Sequence, residues 1–198
     1  MFVSAKFYII VSNNSFIIKK EDDHSEYIIH LQQFIPNIPA YYHLFDKDKE
    51  NYINDIKSQI KRLKIKNVTI ILPDDCIDIE IDKQILIEFF LQCGVKKIQV
   101  DFQCFLLNLD NKKYISISNT TRAIVMQYIS YRNSISKKYY EKDYMDIEQI
   151  ELDMKNLHDD CQYTVVPVYI NNINNDMERF NFVGDLVSLD NIIANIKG

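Results

Sequence analysis

Three glycines in 198 residues (Gly94, Gly184 and Gly198) are what most limits the turns and sites open to this chain. Glycine takes positive φ without steric cost and lets backbone approach a ligand closely. Loops that cradle phosphates rely on it at fixed spacing. The sequence contains no GxGxxG, GxxxxGK or DxGxx pattern, which argues against a conventional P-loop or dinucleotide-binding turn.

The rest of the composition permits a well-filled core. Hydrophobic residues make up 47% of the chain, and its length suits one domain or two small lobes. Ile dominates the apolar set and Lys, Asn and Tyr are abundant, as AT-rich coding would produce, so Asn-rich stretches carry no functional weight by themselves. A net charge of -5 and a pI near 5.4 argue against a broad basic surface and against a nucleic-acid partner. The local clusters Lys61, Arg62, Lys64, Lys66 and Lys137, Lys138 have acids close by. No apolar run approaches the roughly 18 residues of a membrane span. The N-terminal MFVSAKFYIIVSNNS has neither the basic region nor the small-residue cleavage site of a signal peptide. A cytoplasmic protein with no membrane partner is the expectation. Cys76, Cys93, Cys104 and Cys161 form no CxxC pair, and they read as buried free thiols of a reducing compartment with no zinc site.

Along the chain, 3–11 and 15–20 read as strands joined by a hairpin turn at Asn13-Asn14, residues that tolerate left-handed backbone. A third strand follows at 27–34, then a loop broken by two prolines. Residues 47–64 form a helix, with Tyr52, Ile53, Ile56, Ile60 and Leu63 on one face. NVTIIL (67–72) suits a strand buried on both faces, ended by Pro73. Asp82 reads as the cap of a helix over 83–93, which Gly94 terminates. KKIQVDF (96–102) is the next strand. The order then recurs: strands at 113–118, 122–130 and 134–142, a helix over 146–161, strands at 164–170 and 180–184, and a short last helix capped by Ser188 or Asp190.

This doubled order resembles the actin and heat-shock-chaperone ATPase superfamily, whose core is ribonuclease-H-like. The likeness is closest over 67–130, where NVTIILPDD, DKQILIEFFLQCGVKKIQVDFQ and YISISNTTRAIVMQYI follow the family's order of strand, helix, strand and phosphate hairpin. FNFVGDLVSLDNIIANI looks like the family's adenosine-side turn. The resemblance implies an α/β protein with two ribonuclease-H-like β-β-β-α-β-α halves, a reduced actin-like ATPase fold with a first lobe over 1–110 and a second over 111–198. It also marks what has changed. The family's phosphate hairpins carry Asp and glycines, but here the turns are SNNS (12–15) and ISNTTR (117–122). The family's double glycine is Gly184-Asp185. Asn13, Asn14, Asn119, Thr120, Thr121 and Gly184 therefore stand at the remnant cofactor positions. No bound cofactor, catalytic residue or metal ligand is expected.

Other clusters have a chemical and a plain reading. Asp78, Glu80 and Asp82 alternate with Ile77, Ile79 and Ile81, so a strand would put three carboxylates on one face. With Asp74 and Asp75 they could hold a divalent metal, or they could be the wet face of an edge strand. Asp101 is a further acid nearby. His24, His30 and His43 read as exposed or structural. His158 reads as a helix-ending residue favoured by the dipole. Cys93 with His158 is the only nucleophile pair to consider, and a cysteine on an apolar helix face is usually core. The leading expectation is a non-catalytic interaction or scaffold protein that binds a protein partner, self-association included, through sheet edges and tyrosine-bearing loops. The alternatives are an ATP-binding regulator without hydrolysis and a metal-dependent nuclease using the acids of 74–82.

Overall fold

A computed structural model describes residues 5–21 and 25–197. The chain divides into two compact units, Met1–Phe102 and Gln103–Gly198, each built on a mixed five-stranded sheet.

In the first unit, β1 (Lys6–Val11) and β2 (Ser15–Lys20) form the expected hairpin, and β3 (Glu26–His30) extends it. β3 is shorter than the 27–34 expectation, and the start of the first expected strand, at residues 3 and 4, lies outside the described residues. Helix α1 (Glu50–Arg62) buries Ile53, Ile56 and Ile60, and β4 (Asn67–Leu72) follows parallel to β1, with Ile9 opposite Ile70. After α2 (Glu80–Gln92), β5 (Lys97–Phe102) runs parallel to β4. The strand order is β3-β2-β1-β4-β5. The core packs Ile9, Phe16, Ile18 and Ile70 against Ile56, Phe89 and Phe90, with the Phe16 and Phe90 ring centroids 5.2 Å apart. Gly94 ends α2 at φ +92°, its N–H donating to the Leu91 carbonyl while Val95 N–H donates to Phe90, the paired bonds of a left-handed helix stop.

The strand reading of 78–82 is overturned. Asp74–Cys76 is a 3-10 turn and Glu80 already lies in α2. Ile79 occupies the N-cap, so Asp82 is not the cap but a fully buried residue of the first helical turn. Asp78 and Glu80 are exposed.

The second unit repeats the topology. β6 (Lys113–Asn119), β7 (Ile124–Ser130) and β8 (Asn133–Tyr140) form an antiparallel meander, and β9 (Val168–Asn171) and β10 (Asp185–Val187) run parallel to β6, giving β10-β9-β6-β7-β8. Ile115, Ile117, Met126, Tyr128, Ile150 and Phe180 are among its core residues. The single helix expected over 146–161 is two, α3 (Ile147–Asn156) and α4 (Asp159–Tyr163). His158 breaks them with extended backbone and caps α4, its Nδ1 accepting from the Asp160 N–H at 3.1 Å, so it starts a helix where it was expected to end one. The strand expected at 180–184 lies instead at 185–187. Phe180, fully buried, ends a 3-10 turn, and no α-helix connects β9 to β10 among the described residues. Ser188 caps the final helix α5 (Leu189–Lys197), its Oγ accepting from the Asn191 N–H while Asn191 Oδ1 accepts from the Ser188 N–H, a reciprocal box.

The scarcity of glycine shows in the backbone. Asn37, Lys64, Tyr131, Arg132 and Asn175 all take positive φ. Asn13 and Asn14 do not, so the first hairpin turns without the left-handed backbone those residues would tolerate.

Candidate functional site

In sheets of this kind, sites form beyond the carboxyl ends of the parallel strands. In the first unit the register carries Ser12 to the level of Pro73, so the Asn13-Asn14 turn and the buried Asp74 and Asp75 belong to the same end of the sheet. The turn closes on itself. Ser12 N–H donates to the Ser15 carbonyl at 3.0 Å, and the two serine hydroxyls, both buried, lie 2.7 Å apart. The Asn14 carbonyl accepts from the Leu31 N–H at 2.7 Å. Cys76, at the end of the 3-10 turn, lies 3.3 Å from the Tyr41 hydroxyl. Asp101, at the end of β5, accepts from the Phe102 N–H at 2.9 Å.

The second unit has the matching turn between β6 and β7. Thr120 and Thr121 are buried. Thr120 Oγ1 accepts from the N–H groups of Arg122 and Ala123, each at 3.2 Å, while Thr120 N–H donates to the Ala123 carbonyl at 2.9 Å. Asn119 Nδ2 donates to Asp176 at 2.8 Å. Level with this turn, Asn171 at the end of β9 donates to Gln103 Oε1 at 2.8 Å, and Asn172 Oδ1 accepts from the Met177 N–H. Asn119, Thr120 and Thr121 thus fall together at one sheet end. Gly184 does not join them. It precedes β10 at the amino end of the strands, where an added Cβ would lie 2.5 Å from the Val168 carbonyl oxygen. Val168 and Asn171 are three steps apart along β9, about 10 Å. The double-glycine likeness at 184–185 therefore corresponds to close strand packing, not to a strand-ending turn.

The remaining candidates are dispersed. Among the described residues, no three His, Cys, Asp or Glu side chains gather as a metal site would require. His24 lies outside the described residues, His30 is exposed, and His43 Nδ1 is 2.6 Å from Asp46. Cys93 belongs to the first unit and His158 to the second. Burial pushes the Cys93 thiol up to about 11 despite Lys57 and Lys61 nearby, the reverse of an activated nucleophile.

Two polar centres in the second unit escape sequence reading. Asp153 on α3 is buried and accepts from Lys138 Nζ, from the Tyr140 hydroxyl at 2.8 Å and from Gln149 Nε2 at 2.9 Å. Burial alone would raise its pKa, but the bonds from Lys138, Tyr140 and Gln149 outweigh that and hold it below the usual carboxylate range. Burial and the adjacent Asp153 push the Tyr140 hydroxyl up, so it stays a donor. The second centre is Asp160, which accepts from Lys113 at 2.7 Å and from Tyr128, whose ring stacks on His158 at 4.4 Å. The Lys113 bond and then the Tyr128 bond hold Asp160 low. The faint signal for the first centre was the four-residue spacing of Gln149 and Asp153, with Lys138 and Tyr140 alternating on one strand face.

No protein-family model matches the chain, and no curated protein matches it. Solved structures do. Ethanolamine utilization protein EutJ from Carboxydothermus hydrogenoformans superposes with a TM-score of 0.55 at 9% identity, over 98% of this chain and 88% of that one. The filament structure of AlfA from B. subtilis plasmid pLS32 gives 0.50 at 9% identity, over 93% and 91%. The chain has an actin-like fold. These neighbours belong to the actin-like ATPase superfamily, and at such identity the likeness concerns the fold alone. MreB5 of Spiroplasma citri bound to ADP matches at 0.48 and 7% identity over 77% of this chain, which spans 55% of that longer protein. No helix of the described residues is long and apolar enough to cross a membrane.

Proposed function

We propose that this chain is a non-hydrolysing protein on an actin-like fold that acts by binding another protein, a second copy of itself included. The observation that carries this reading is the closure of both hairpin turns on their own hydroxyls. Backbone N–H groups of Arg122 and Ala123, the kind of donors a phosphate needs, are already given to Thr120 Oγ1. Ser12 N–H is given to the Ser15 carbonyl. A phosphate approaching the second turn would have to displace the bonds to Thr120 Oγ1. A carboxylate that does reach the second turn, Asp176, is bonded to Asn119. The AlfA structure is that of a filament, which favours self-assembly as the form that binding takes.

A thermal-shift titration with ATP and magnesium tests this. Ligand at a hundred times its Kd would add about 2.7 kcal/mol to the folded state, a shift of several degrees. No saturable shift is the expected result. A clear saturable stabilisation overturns the reading, and if no phosphate is released it favours an ATP-binding regulator.

A further inference from the structure

Two adjacent residues of the second unit share a left-handed backbone. Tyr131 and Arg132 make the two-residue connection between β7 and β8 with φ of 50° and 60°, positions that Asn-Gly would take without strain. The turn lies at the opposite end of β7 from Thr120. It is pinned by Tyr131 N–H to the Lys112 carbonyl at 2.7 Å, Arg132 Nη1 to the Phe105 carbonyl at 3.2 Å and Asn133 Nδ2 to the Tyr131 carbonyl at 3.1 Å. Strain of this kind persists where the surroundings over-determine a conformation, and it gathers at binding sites.

Beside the turn is a cavity of about 260 Å³ bordered by Phe105, Leu109, Lys112, Tyr114, Tyr131 and Arg132. The Lys112 ammonium lies 5.6 Å from the Tyr131 ring centroid and the Arg132 guanidinium 5.6 Å from that of Phe105. Two cations are thus held on aromatic rings at the cavity mouth, in a chain whose net charge is -5. The cavity is smaller than a typical small-molecule site of about 300–1,000 Å³, and its size suits a single side chain. Aromatic and arginine residues around a pocket are the usual anchors of protein contacts.

The other end of β8, about 25 Å along the strand, is richer in acids, with Glu141, Asp143 and Asp146 against Lys142 and Arg179. Glu141, Asp143 and Asp146 are exposed there, and between them Met145 is 60% exposed. Tyr144 packs on Tyr140 with ring centroids 4.9 Å apart, and Arg179 Nη2 donates to the Lys142 carbonyl at 3.1 Å, with Nη1 3.1 Å from Met145 Sδ. The loop is therefore held in place with its methionine presented to solvent.

We propose that Met145 and its flanking acids on one copy dock into the cavity beside Tyr131 and Arg132 on a second copy. This rests on the self-binding reading above and names its contact. A flexible thioether fills an irregular aromatic-lined gap well, and the loop carboxylates meet Lys112 and Arg132. The two surfaces differ and sit at opposite ends of one strand. The contact is heterologous, and it repeats head to tail where a twofold dimer would close.

Sedimentation velocity on the full chain over a range of concentrations tests this. The wild type is expected to form species longer than dimers, which shrink as salt rises. A cavity variant, Lys112→Glu with Arg132→Gly, and a loop variant, Asp143→Lys with Met145→Ser, should each weaken association at least tenfold. Glycine at 132 suits the backbone there, so the first variant keeps its fold. An equimolar mixture of the two variants should give a heterodimer and nothing longer, because each supplies one intact surface. A wild type that stays monomeric, association untouched by either variant, or a mixture that forms no heterodimer overturns the proposal. The wider reading stands or falls separately, on the ATP titration.

Discussion

Replacing Asp153 by Asn tests the physical account of the second unit most directly. The side chain is 8% exposed and its carboxylate accepts three hydrogen bonds, one from the Lys138 ammonium. Asn keeps the shape and one acceptor oxygen, but it turns an NH₂ toward Lys138 or Tyr140, both donors. Leaving a truly buried charge unpaired would be worth about 3–5 kcal/mol. Lys138 is 45% exposed and can turn to water, so a loss of about 2–3 kcal/mol at pH 7 is expected. The pH dependence has a definite sign. A carboxylate whose folded pKa lies below its unfolded value stabilises the fold above the unfolded value, about 3.9, and loses that stability as pH falls through the folded value. The wild type should therefore converge on the Asn variant below about pH 4. Urea unfolding followed by circular dichroism gives the free-energy gap, and amide exchange along β8 and α3 assigns it to this unit. A gap under about 0.5 kcal/mol at pH 7, or one that stays constant down to pH 3, refutes the charge-assisted network.

Three further outcomes are open to measurement. Gly184→Ala would place its Cβ 2.5 Å from the Val168 oxygen and 2.7 Å from the Val168 Cβ, and should lower stability by about 1–3 kcal/mol, read as a lower urea midpoint. Converting Tyr131-Arg132 to Asn-Gly relieves two strained residues and should raise stability by about 1–2 kcal/mol, seen as a higher Tm at protein concentrations where the chain is monomeric. The Cys93 thiol, pushed up to about 11, should react with iodoacetamide at pH 8 about a hundredfold more slowly than an ordinary exposed cysteine; near-equal labelling would contradict its burial.

The fold was largely legible because its strongest signals are local. NVTIIL is a strand to the residue, α1 buries three of the isoleucines its periodicity selected, and Gly94 stops α2 where a left-handed residue was needed. The misreadings share a cause. Residues 77–82 alternate apolar and acidic with period two, and Phe180-Asn181-Phe182 alternates apolar and polar in the same way. Over so few residues that pattern also fits a helix start or a 3-10 turn, and the packing of Leu86 and Phe89 in one case and of Phe180 in the other decided the outcome. The break at His158 was hidden because Ile150, Met154, Leu157 and Cys161 all pack on the same core across both helices. The two hairpin turns were legible from the order of elements, but their closure on Ser15 and Thr120 depends on hydroxyl geometry that no residue pattern encodes. The Asp153 centre joins residues 13 and 15 positions apart on different elements, and only the folded chain brings them together.

The helix-free crossover from β9 to β10 bears on the order in which the second sheet can assemble. Pairing β6 with β9 brings together Ile117 and Ile170, 53 residues apart, but β10 needs only a 16-residue link from Ile170 to Leu186. In the first unit the last strand spans 30 residues, from Ile70 to Val100, with α2 between. Loop-closure entropy grows with such separations, and distant contacts slow folding. β10 therefore adds at little entropic cost once β9 is in place, and as a three-residue edge strand it can leave with the β6–β9 pairing intact.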